Sequence, residues 1–333
     1  MIDFITQAAE DPDVLAIKQT FYRTSADSKL MTALIVAAQS GKEVTVVVEL
    51  FARFDEEANI NWAAKLEDAG AHVVYGVVGH KTHAKMAMVV RREDQKLRRY
   101  VHLSTGNYHQ RTAKLYTDFG LLTSNEEICK DVNDVFAQLT GLGKSNKLNH
   151  LWQSPFTLHS NLIKAIEQEA EIARSGKKAH IIAKMNALLD ADVIRALYEA
   201  STAGVQIDLL VRGVCALKPG IPGVSENIRV RSIVGRFLEH TRIFYFHHHG
   251  EDHLYLSSAD WMYRNFFKRI EVCFPILDPK VKKRVMSEGL EIYLKDNLNA
   301  WEMNADGQYH LRQRRGLPLS AQQSLMQDYG QPF

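Results

Sequence analysis

Two histidine-x-cation pairs are the residues of this sequence with the clearest chemical potential. His83 is followed two positions later by Lys85, and His240 is followed two positions later by Arg242. A neutral imidazole is a nucleophile toward phosphorus, and a nearby cation offsets the charge on the phosphoryl oxygens. If each pair lies on a strand, its two side chains share a face, because strand geometry has a period of two. The pairs indicate phosphoryl transfer, in which one histidine attacks and the other supports the leaving oxygen.

Four further polar side chains are candidates for phosphate binding. Arg23, Arg53 and Arg212 each follow an apolar, strand-like run. Open α/β sheets hold ligands at strand ends, and guanidinium groups bind phosphate bidentately. Asn107 ends a small-polar turn whose amide groups can hold phosphate or orient His83. We expect a polyanion site, although a surface ion pair is the alternative for any one arginine taken alone.

Several features near these residues also have structural explanations. Tyr116 and Trp261 can stack on a nucleotide base, but aromatic residues in strand-like settings more often belong to the core. Each histidine of the two pairs can instead be a structural histidine. The run from His247 to His249 precedes Gly250 in a predicted hairpin tip. We interpret this run as solvated loop histidines and not as a metal site.

Composition restricts the function classes. Lys and Arg number 41 and Asp and Glu 39, so the net charge of +2 argues against nucleic-acid binding by bulk charge. The three cysteines are far apart and form no C-x-x-C pair, which argues against disulfides and against a cysteine zinc site. No apolar run approaches the roughly 18 residues of a membrane span, and no P-loop motif occurs. We expect a cytoplasmic protein.

The pattern of apolar residues predicts the elements that position these side chains. Helical periodicity over about 28–41 and 56–69 alternates with strand-like runs at 14–21, 44–50 and 71–78. A hairpin follows, with strands at 83–90 and 99–104 joined by the charged segment 91–96, and helical spacing returns over 125–139. The Gly-, Ser- and Lys-rich segment 141–147 is typical of a linker. We therefore predict domains at residues 1–148 and 149–333.

The second half of the sequence repeats the order of the first. Three small residues recur at an offset of 163 (196 − 33 = 163), namely Ala33, Ala37 and Gly41 as Ala196, Ala200 and Gly204. His83 precedes Asn107 by 24 positions (107 − 83), and His240 precedes Asp260 by 20 (260 − 240). The repeat predicts two tandem α/β domains, each a mixed β-sheet flanked by helices, with the active site between them.

The segments that contain these residues resemble the bacterial polyphosphate kinase family, of the type that synthesises long chains. In the first half the matching segments are IKQTFYRTS at 17–25, VVVELFARFDEE at 46–57, KTHAK at 81–85 and STGN at 104–107. In the second half they are LVRG at 210–213, LEH at 238–240 and LSSADWM at 256–262. The resemblance covers effectively the whole chain. It implies the two C-terminal domains of the family, whose fold belongs to the phospholipase D superfamily.

The resemblance implies reversible transfer of the terminal phosphate of ATP to polyphosphate through a phosphohistidine. His83 matches the phosphorylated histidine of the family, and His240 matches the second active-site histidine. Tyr116 and Arg212, together with His240, match the nucleotide contacts. Independently of the resemblance, we expect Lys85 to offset phosphoryl charge beside His83, and Arg242 stands where the first repeat has a lysine.

Magnesium is the implied cofactor. Arg23 and Arg53 match positions that the family associates with Mg²⁺. A guanidinium group carries only hydrogen-bond donors and cannot ligate a cation. We interpret both arginines as phosphate clamps beside Mg²⁺, which itself neutralises phosphate charge during transfer.

The implied partners are ATP or ADP and inorganic polyphosphate, without nucleic acid. The resemblance implies homo-oligomers for full-length members and leaves peripheral membrane association open. Family members carry an N-terminal domain and a helical dimerisation domain ahead of the matching segment. We therefore expect this chain to be part of a longer enzyme.

Two alternatives are a phospholipase D-type phosphodiesterase or phosphatidyltransferase and an inactive polyphosphate-binding module. The first class has two full H-x-K-x-x-x-x-D elements. The fifth residue after Lys85 is Val90, and the fifth after Arg242 is His247, so the aspartate is missing from both elements. Detection of a phosphohistidine would distinguish a kinase from the inactive module.

Overall fold

The computed structural model describes residues 1–21, 28–49, 56–77, 79–141, 147–314 and 316–330. Its contacts divide the chain into two compact units. Unit 1 comprises Met1–Lys114, Phe119–Pro155 and Lys268–Val272, and unit 2 comprises Leu115–Asp118, Phe156–Phe267 and Cys273–Phe333. Each unit therefore includes one short segment from the part of the sequence that mainly builds the other.

Unit 1 is built on a six-stranded mixed sheet. The helices up to residue 155 are α1 (Ile2–Glu10), α2 (Lys29–Gln39), α3 (Glu56–Asp68) and α4 (Glu126–Leu139). The strands are β1 (Val14–Phe21), β2 (Glu43–Val48), β3 (His72–Val74), β4 (Lys81–Thr82), β5 (Lys85–Glu93), β6 (Lys96–Ser104), β7 (Tyr116–Thr117), β8 (Gly120–Thr123) and β9 (Trp152–Ser154). The sheet order is β3-β2-β1-β5-β6-β8, with β1, β2 and β3 parallel and the other pairs antiparallel. Strand β7 belongs to unit 2.

Helix caps explain where two of the predicted helices begin. The Ser28 hydroxyl accepts a hydrogen bond from the Met31 N–H at the start of α2. The Asn125 side chain accepts from the N–H groups of Glu127 and Ile128 at the start of α4. Such caps satisfy N–H groups that have no partner inside the helix. The predicted helices near 28–41, 56–69 and 125–139 and the strands at 14–21 and 44–50 are confirmed to within two residues at each end.

The predicted strand at 71–78 is wrong in extent. Only His72–Val74 pairs with β2. Gly76 and Gly79 adopt φ angles of 64° and 82°, in the left-handed region, and this conformation ends the extended backbone.

The predicted hairpin is confirmed, but its limits differ. Strand β5 begins at Lys85, so His83 lies before the strand and does not open it. The charged segment forms the ends of β5 and β6, which are joined by a two-residue turn. Asp94 and Gln95 occupy that turn with φ angles of 45° and 65°, as a tight hairpin turn requires. Strand periodicity therefore does not relate His83 to Lys85.

Unit 2 contains a second mixed sheet. Its helices are α5 (Leu158–Arg174), α6 (Ala191–Thr202), α7 (Tyr263–Phe267), α8 (Pro279–Met286), α9 (Ile292–Lys295) and α10 (Ala321–Asp328), with a π-helical turn at Ser287–Glu291. The remaining strands are β10 (His180–Met185), β11 (Gln206–Val211), β12 (Ile228–Ile233), β13 (Leu238–Glu239), β14 (Ile243–Phe246), β15 (His253–Ser257), β16 (Arg269–Pro275), β17 (Ala300–Met303) and β18 (Tyr309–Leu311). The order is β18-β17-β12-β11-β10-β14-β15-β16, and β13 pairs with β7 in a separate ribbon. Residues 269–272 of β16 belong to unit 1, where β16 pairs in parallel with β4. The predicted strand at 205–211 is confirmed as β11.

Strand pairing repeats between the two units. In unit 1, β1 is parallel to β2 and antiparallel to β5, and in unit 2, β10 is parallel to β11 and antiparallel to β14. Met86 pairs with Leu103, and Ile243 pairs with Leu256. These residues follow the two histidines by the same three positions, so His83 and His240 are equivalent in the repeat. Both units are α/β folds with mixed sheets, as predicted.

Within the described ranges, no helix combines the length and the apolar character needed to cross a membrane.

Candidate functional site

His83 lies in the connection between β4 and β5 of unit 1. The backbone N–H groups of His83 and Ala84 both donate to the Ile270 carbonyl, at 2.9 Å each. The His83 Nδ1 atom is 2.8 Å from the Glu271 Oε2 atom, and the two side chains are only 8% and 0% exposed. Backbone and side-chain contacts thus fix both the position and the ring orientation of this histidine.

The contact with Glu271 determines which ring nitrogen can act as a nucleophile. A carboxylate at Nδ1 favours the tautomer with the proton on that atom and leaves the lone pair on Nε2. The Arg269 Nη1 atom lies 3.9 Å from Glu271 Oε1 and balances part of the buried negative charge. Nε2 of His83 is therefore the atom that can attack an electrophile.

Lys85 and the turn after β6 lie in the same unit. Lys85 is the first residue of β5, is 2% exposed and pairs with Ser104 across the sheet. The Ser104 hydroxyl accepts a hydrogen bond from the Gly106 N–H at 3.0 Å. The buried Asn107 Oδ1 atom has no hydrogen-bond partner among the described residues. A buried amide oxygen without a partner is an exception in folded proteins, so this turn has spare hydrogen-bonding capacity.

His240 has an equivalent arrangement in unit 2. Its Nδ1 atom lies 2.9 and 3.0 Å from the two carboxylate oxygens of Asp118. The His240 N–H donates to the Thr117 hydroxyl at 3.2 Å. The Tyr116 ring lies beside the imidazole, with 5.3 Å between the ring centroids. The parallel pairing of β13 with β7 brings these groups together.

Arg242 joins His240 to a buried carboxylate. Its Nε and Nη2 atoms donate to the two oxygens of Asp260 at 3.2 and 3.0 Å. Its Nη1 atom donates to the His240 carbonyl at 2.8 Å and lies 3.0 Å from His240 Nε2. Burial alone would raise the pKa of Asp260, but Arg242 and the Asn186 N–H lower it to about 2. The guanidinium group is thus largely committed to Asp260, and Nη1 faces the histidine.

Arg212 directly follows β11 and belongs to the same cluster. Its Nη1 atom is buried, and no hydrogen-bond partner lies within reach in the described part of the chain. Burial is the largest cause that lowers the pKa of Arg212, while the charge of Asp260 raises it and that of Arg242 lowers it further. A buried guanidinium N–H without a partner is a donor that an incoming anion would satisfy.

Comparisons with known proteins identify the family of this chain. Residues 1–145 match the family model described as polyphosphate kinase C-terminal domain 1, and residues 151–323 match C-terminal domain 2. The polyphosphate kinase of Burkholderia multivorans is 63% identical over 330 residues. This chain belongs to the polyphosphate kinase family. The alignment covers 98% of this chain and 48% of that relative, so the chain spans about half the length of the curated relatives it matches.

Solved structures give the same assignment. The crystal structure of polyphosphate kinase from Porphyromonas gingivalis aligns with a TM-score of 0.92 and 37% identity, over 98% of this chain and 50% of that one. Phosphatidylserine synthase from Haemophilus influenzae aligns with a TM-score of 0.61 and 11% identity, over 98% of this chain and 90% of that one. The second similarity concerns the fold alone. It supports the mixed α/β fold predicted from the sequence.

Two carboxylates that hold the histidines were missed by the sequence reasoning. Asp118 and Glu271 are 153 positions apart (271 − 118 = 153), the same offset as Asn107 and Asp260 (260 − 107 = 153). Asp118 follows Asn107 by 11 positions (118 − 107), and Glu271 follows Asp260 by the same number (271 − 260). The sequence repeat therefore indicates that the two carboxylates are equivalent.

A buried ion pair next to His240 was also missed. The Lys184 Nζ atom lies 2.8 Å from Glu239 Oε2, with both side chains 4% exposed. Gln322 donates to Glu239 Oε1 at 2.6 Å, and Thr117 donates to Oε2 at 2.9 Å. Burial lowers the pKa of Lys184, while the charge of Glu239 raises it. This network stabilises the backbone that leads directly into His240.

Other candidates from the sequence have different outcomes. Arg23 and Arg53 lie outside the described residues. Trp261 is fully buried and packs on Phe244 with 4.9 Å between ring centroids, as expected of a core residue. The phosphate-binding roles of Asn107 and Arg242 stay predictions.

The described site residues do not form a ligand set for Mg²⁺. Each of the three carboxylates near the histidines contacts a side-chain nitrogen. They are Glu271 beside His83, Asp118 beside His240 and Asp260 beside Arg242. Two groups of three potential metal ligands occur among the described residues, and neither contains these carboxylates or the two histidines. In each unit the donor chemistry around the histidine suits an anion better than a cation.

Proposed function

We propose that this chain is the catalytic region of a polyphosphate kinase, which transfers the terminal phosphate of ATP to polyphosphate reversibly through a phosphohistidine. One observation carries the proposal: each unit holds a histidine whose Nδ1 contacts a carboxylate at an equivalent position. Such pairs set the tautomer of an imidazole that attacks or that transfers a proton. Domains with a boundary after residue 148, each supplying one histidine to a shared reaction, are part of this proposal.

The first step is attack by His83 on the terminal phosphorus of ATP. A bond forms between Nε2 and phosphorus, the bond from phosphorus to the bridging oxygen breaks, and the electron pair leaves with ADP. His240 supplies a proton to the leaving oxygen. The His240 Nδ1 atom contacts Asp118, and the Arg242 Nη1 atom lies 3.0 Å from His240 Nε2, so the ring is held in one orientation.

The second step transfers the phosphoryl group to the acceptor. A terminal oxygen of polyphosphate attacks the phosphorus, and the nitrogen–phosphorus bond breaks to regenerate His83. The reverse sequence makes ATP from ADP. Lys85 and Arg212 balance the charge of the phosphoryl oxygens in both directions.

Magnesium enters this proposal with the nucleotide. Because Glu271, Asp118 and Asp260 are committed to nitrogen donors, Mg²⁺ is assigned to the phosphates of ATP as part of the substrate. Tyr116, Arg212 and His240 are assigned to the nucleotide, Asn107 and Arg242 to phosphate, and Arg23 and Arg53 to phosphate beside the metal. The proposal also includes a cytoplasmic location and homo-oligomers of the full-length enzyme.

Phosphorylation with ATP labelled in the terminal phosphate tests this function. We expect acid-labile label on the purified chain, loss of that label in His83→Ala, and full label in His310→Ala, whose exposed histidine lies on β18. Polyphosphate binding by a folded chain that takes no label would favour the inactive binding module instead. Phospholipid turnover without label from ATP would favour the phosphodiesterase class.

A further inference from the structure

Three potential metal ligands come together at the connection between β14 and β15, namely His248, Glu251 and His253, the first residue of β15. Nε2 of His253 lies 3.2 Å from Glu251 Oε2, and Nε2 of His248 lies 3.7 Å from the same oxygen. The two imidazoles stack with 3.9 Å between centroids and 23° between their planes. One potential ligand atom from each residue lies within 4.8 Å of the others.

These separations match the edges of a zinc coordination tetrahedron. Zinc bonds of about 2.0–2.1 Å to nitrogen and oxygen place tetrahedral ligands about 3.3 Å apart. The observed separations of 3.2 and 3.7 Å are close to this edge, and rotation of the two stacked rings until both Nε2 lone pairs converge would surround one ion. Two imidazoles and one carboxylate also suit Zn²⁺ better than Mg²⁺ or Ca²⁺, which prefer oxygen ligands.

A buried carboxylate anchors this connection. Glu169 is fully buried, and its Oε1 atom accepts a hydrogen bond from the His248 N–H at 2.6 Å. Its Oε2 atom accepts from the His180 N–H at 3.0 Å, at the first residue of β10. The backbone of His248 is thus tied to the core of unit 2, so part of the entropic cost of assembling the ligands has already been met.

A side chain of α8 also contacts this connection. The Lys282 Nζ atom donates to the Glu251 carbonyl at 3.4 Å, so this cation contacts the backbone of the segment.

The remaining histidines of the segment have other roles. The Tyr245 hydroxyl lies 3.2 Å from His247 Nδ1, and Asp252 lies 3.4 Å from the same atom, which engages this side chain outside the cluster. His249 belongs to neither group of potential metal ligands in the described chain. The interpretation of this run as solvated loop histidines does not describe His248, because its side chain is only 17% exposed.

The second group of potential ligands is less suitable. It consists of His159, Asp190 and Asp192. Asp190 caps α6 through the Val193 N–H at 3.1 Å, and Asp192 pairs with Arg195 at 3.1 Å. Both carboxylates already have donors, whereas the Glu251 side chain is 69% exposed and faces the two histidines.

We propose that His248, Glu251 and His253 form a zinc site with three protein ligands and a fourth position for water. The site is separate from phosphoryl transfer and does not depend on the proposed function. Zinc binding would fix the connection between β14 and β15, and any ligand that binds only the folded state raises its stability.

Titration of the metal-free chain with Zn²⁺ tests the site. We expect one equivalent to bind to the unaltered chain and to His249→Ala, which serves as the matched control. His253→Ala and Glu251→Gln should each weaken binding by at least about tenfold, because each removes one of three ligands. Co²⁺ should give visible absorption typical of a tetrahedral site in the unaltered chain, and that absorption should disappear in His253→Ala.

The melting temperature provides an independent measurement. Zinc should raise it for the unaltered chain and for His249→Ala, and should leave it unchanged for His253→Ala. Far-UV circular dichroism establishes that each variant is folded, and Glu251→Gln alters an exposed side chain that the fold does not require. Equal zinc affinity in the unaltered chain and in folded His253→Ala, or an equal loss in His249→Ala, would overturn the proposal.

Discussion

Asp118 and Glu271 occupy equivalent positions of the sequence repeat, and each contacts Nδ1 of a histidine from the opposite half of the chain. Asp118 lies 122 residues before His240, and Glu271 lies 188 residues after His83. Short parallel ribbons support both contacts, since β7 pairs with β13 and β4 pairs with β16. The two halves of the sequence therefore exchange the residues that orient their histidines, within units that each contain both members of one pair.

Replacing Glu271 with Gln should slow phosphorylation of His83 by about 10²- to 10⁴-fold. The amide of the introduced Gln can hold the His83 ring but can also stabilise the wrong tautomer. The expected loss of rate resembles that of other histidine–carboxylate pairs. The rate of label incorporation is measured over pH 5–9. A change in the orientation of the His83 ring alone would leave the shape of this pH profile unchanged. Glu199→Gln, at an exposed position of α6, is the control. An unaltered rate in Glu271→Gln would exclude a role for this carboxylate.

The local pattern of apolar and capping residues predicted the main helices and strands, but it did not predict the short ribbons β7–β13 and β4–β16. Strands β1 and β2 and helices α2 to α4 follow from apolar periodicity and caps, which operate over a few residues. Strands β4, β7 and β13 have two residues each, too few for any periodic signal, and their partners are far away in sequence. Sequence spacing thus predicted which histidines are equivalent. The same repeat spacing relates the two carboxylates, but which histidine each carboxylate contacts depends on long-range strand pairing, for which the sequence has no local signal.

Arg212→Ala should weaken ATP binding by about 10- to 100-fold, the equivalent of one charge-assisted hydrogen bond. Because its buried Nη1 atom has no partner in the described chain, removal of the side chain should not lower the melting temperature. Calorimetric titration with ATP and thermal unfolding measure the two quantities. Arg195→Ala, which removes an exposed guanidinium paired with Asp192, is the control. A large loss of stability with unchanged ATP affinity would assign Arg212 a structural role.

Asp260→Asn should destabilise the fold at pH 7 by about 3–5 kcal/mol, because it leaves the buried Arg242 guanidinium without its carboxylate. The folded-state pKa of Asp260, about 2, lies below its ordinary value of 3.8. Ionised Asp260 therefore stabilises the fold above about pH 4, and this contribution of about 2 kcal/mol is lost as the pH falls toward 2. Urea unfolding between pH 2 and pH 7 should show a shallower acid-side decline for the variant. Parallel curves would contradict the ion pair.

The two histidines should give different results when each is replaced by Ala. An attacking imidazole must be unprotonated, whereas a group that protonates the ADP oxygen must carry a proton, so one residue cannot perform both tasks in one step. His83→Ala should abolish the phosphoenzyme, because the nucleophile is gone. His240→Ala should slow transfer by about 10²- to 10⁴-fold, as expected on loss of a general acid, while His83 still becomes labelled slowly.

Quantitative mapping of the acid-labile label distinguishes these roles. In His240→Ala the label should map to the peptide that contains His83, and added small acids should partly restore the rate, because they replace the missing proton donor. His310→Ala should behave like the unaltered chain, since its imidazole is exposed on β18. Label that persists in His83→Ala and maps to His240 would reverse the assignment, because Nε2 of His240 would then be the attacking atom and Asp118 the carboxylate that orients it.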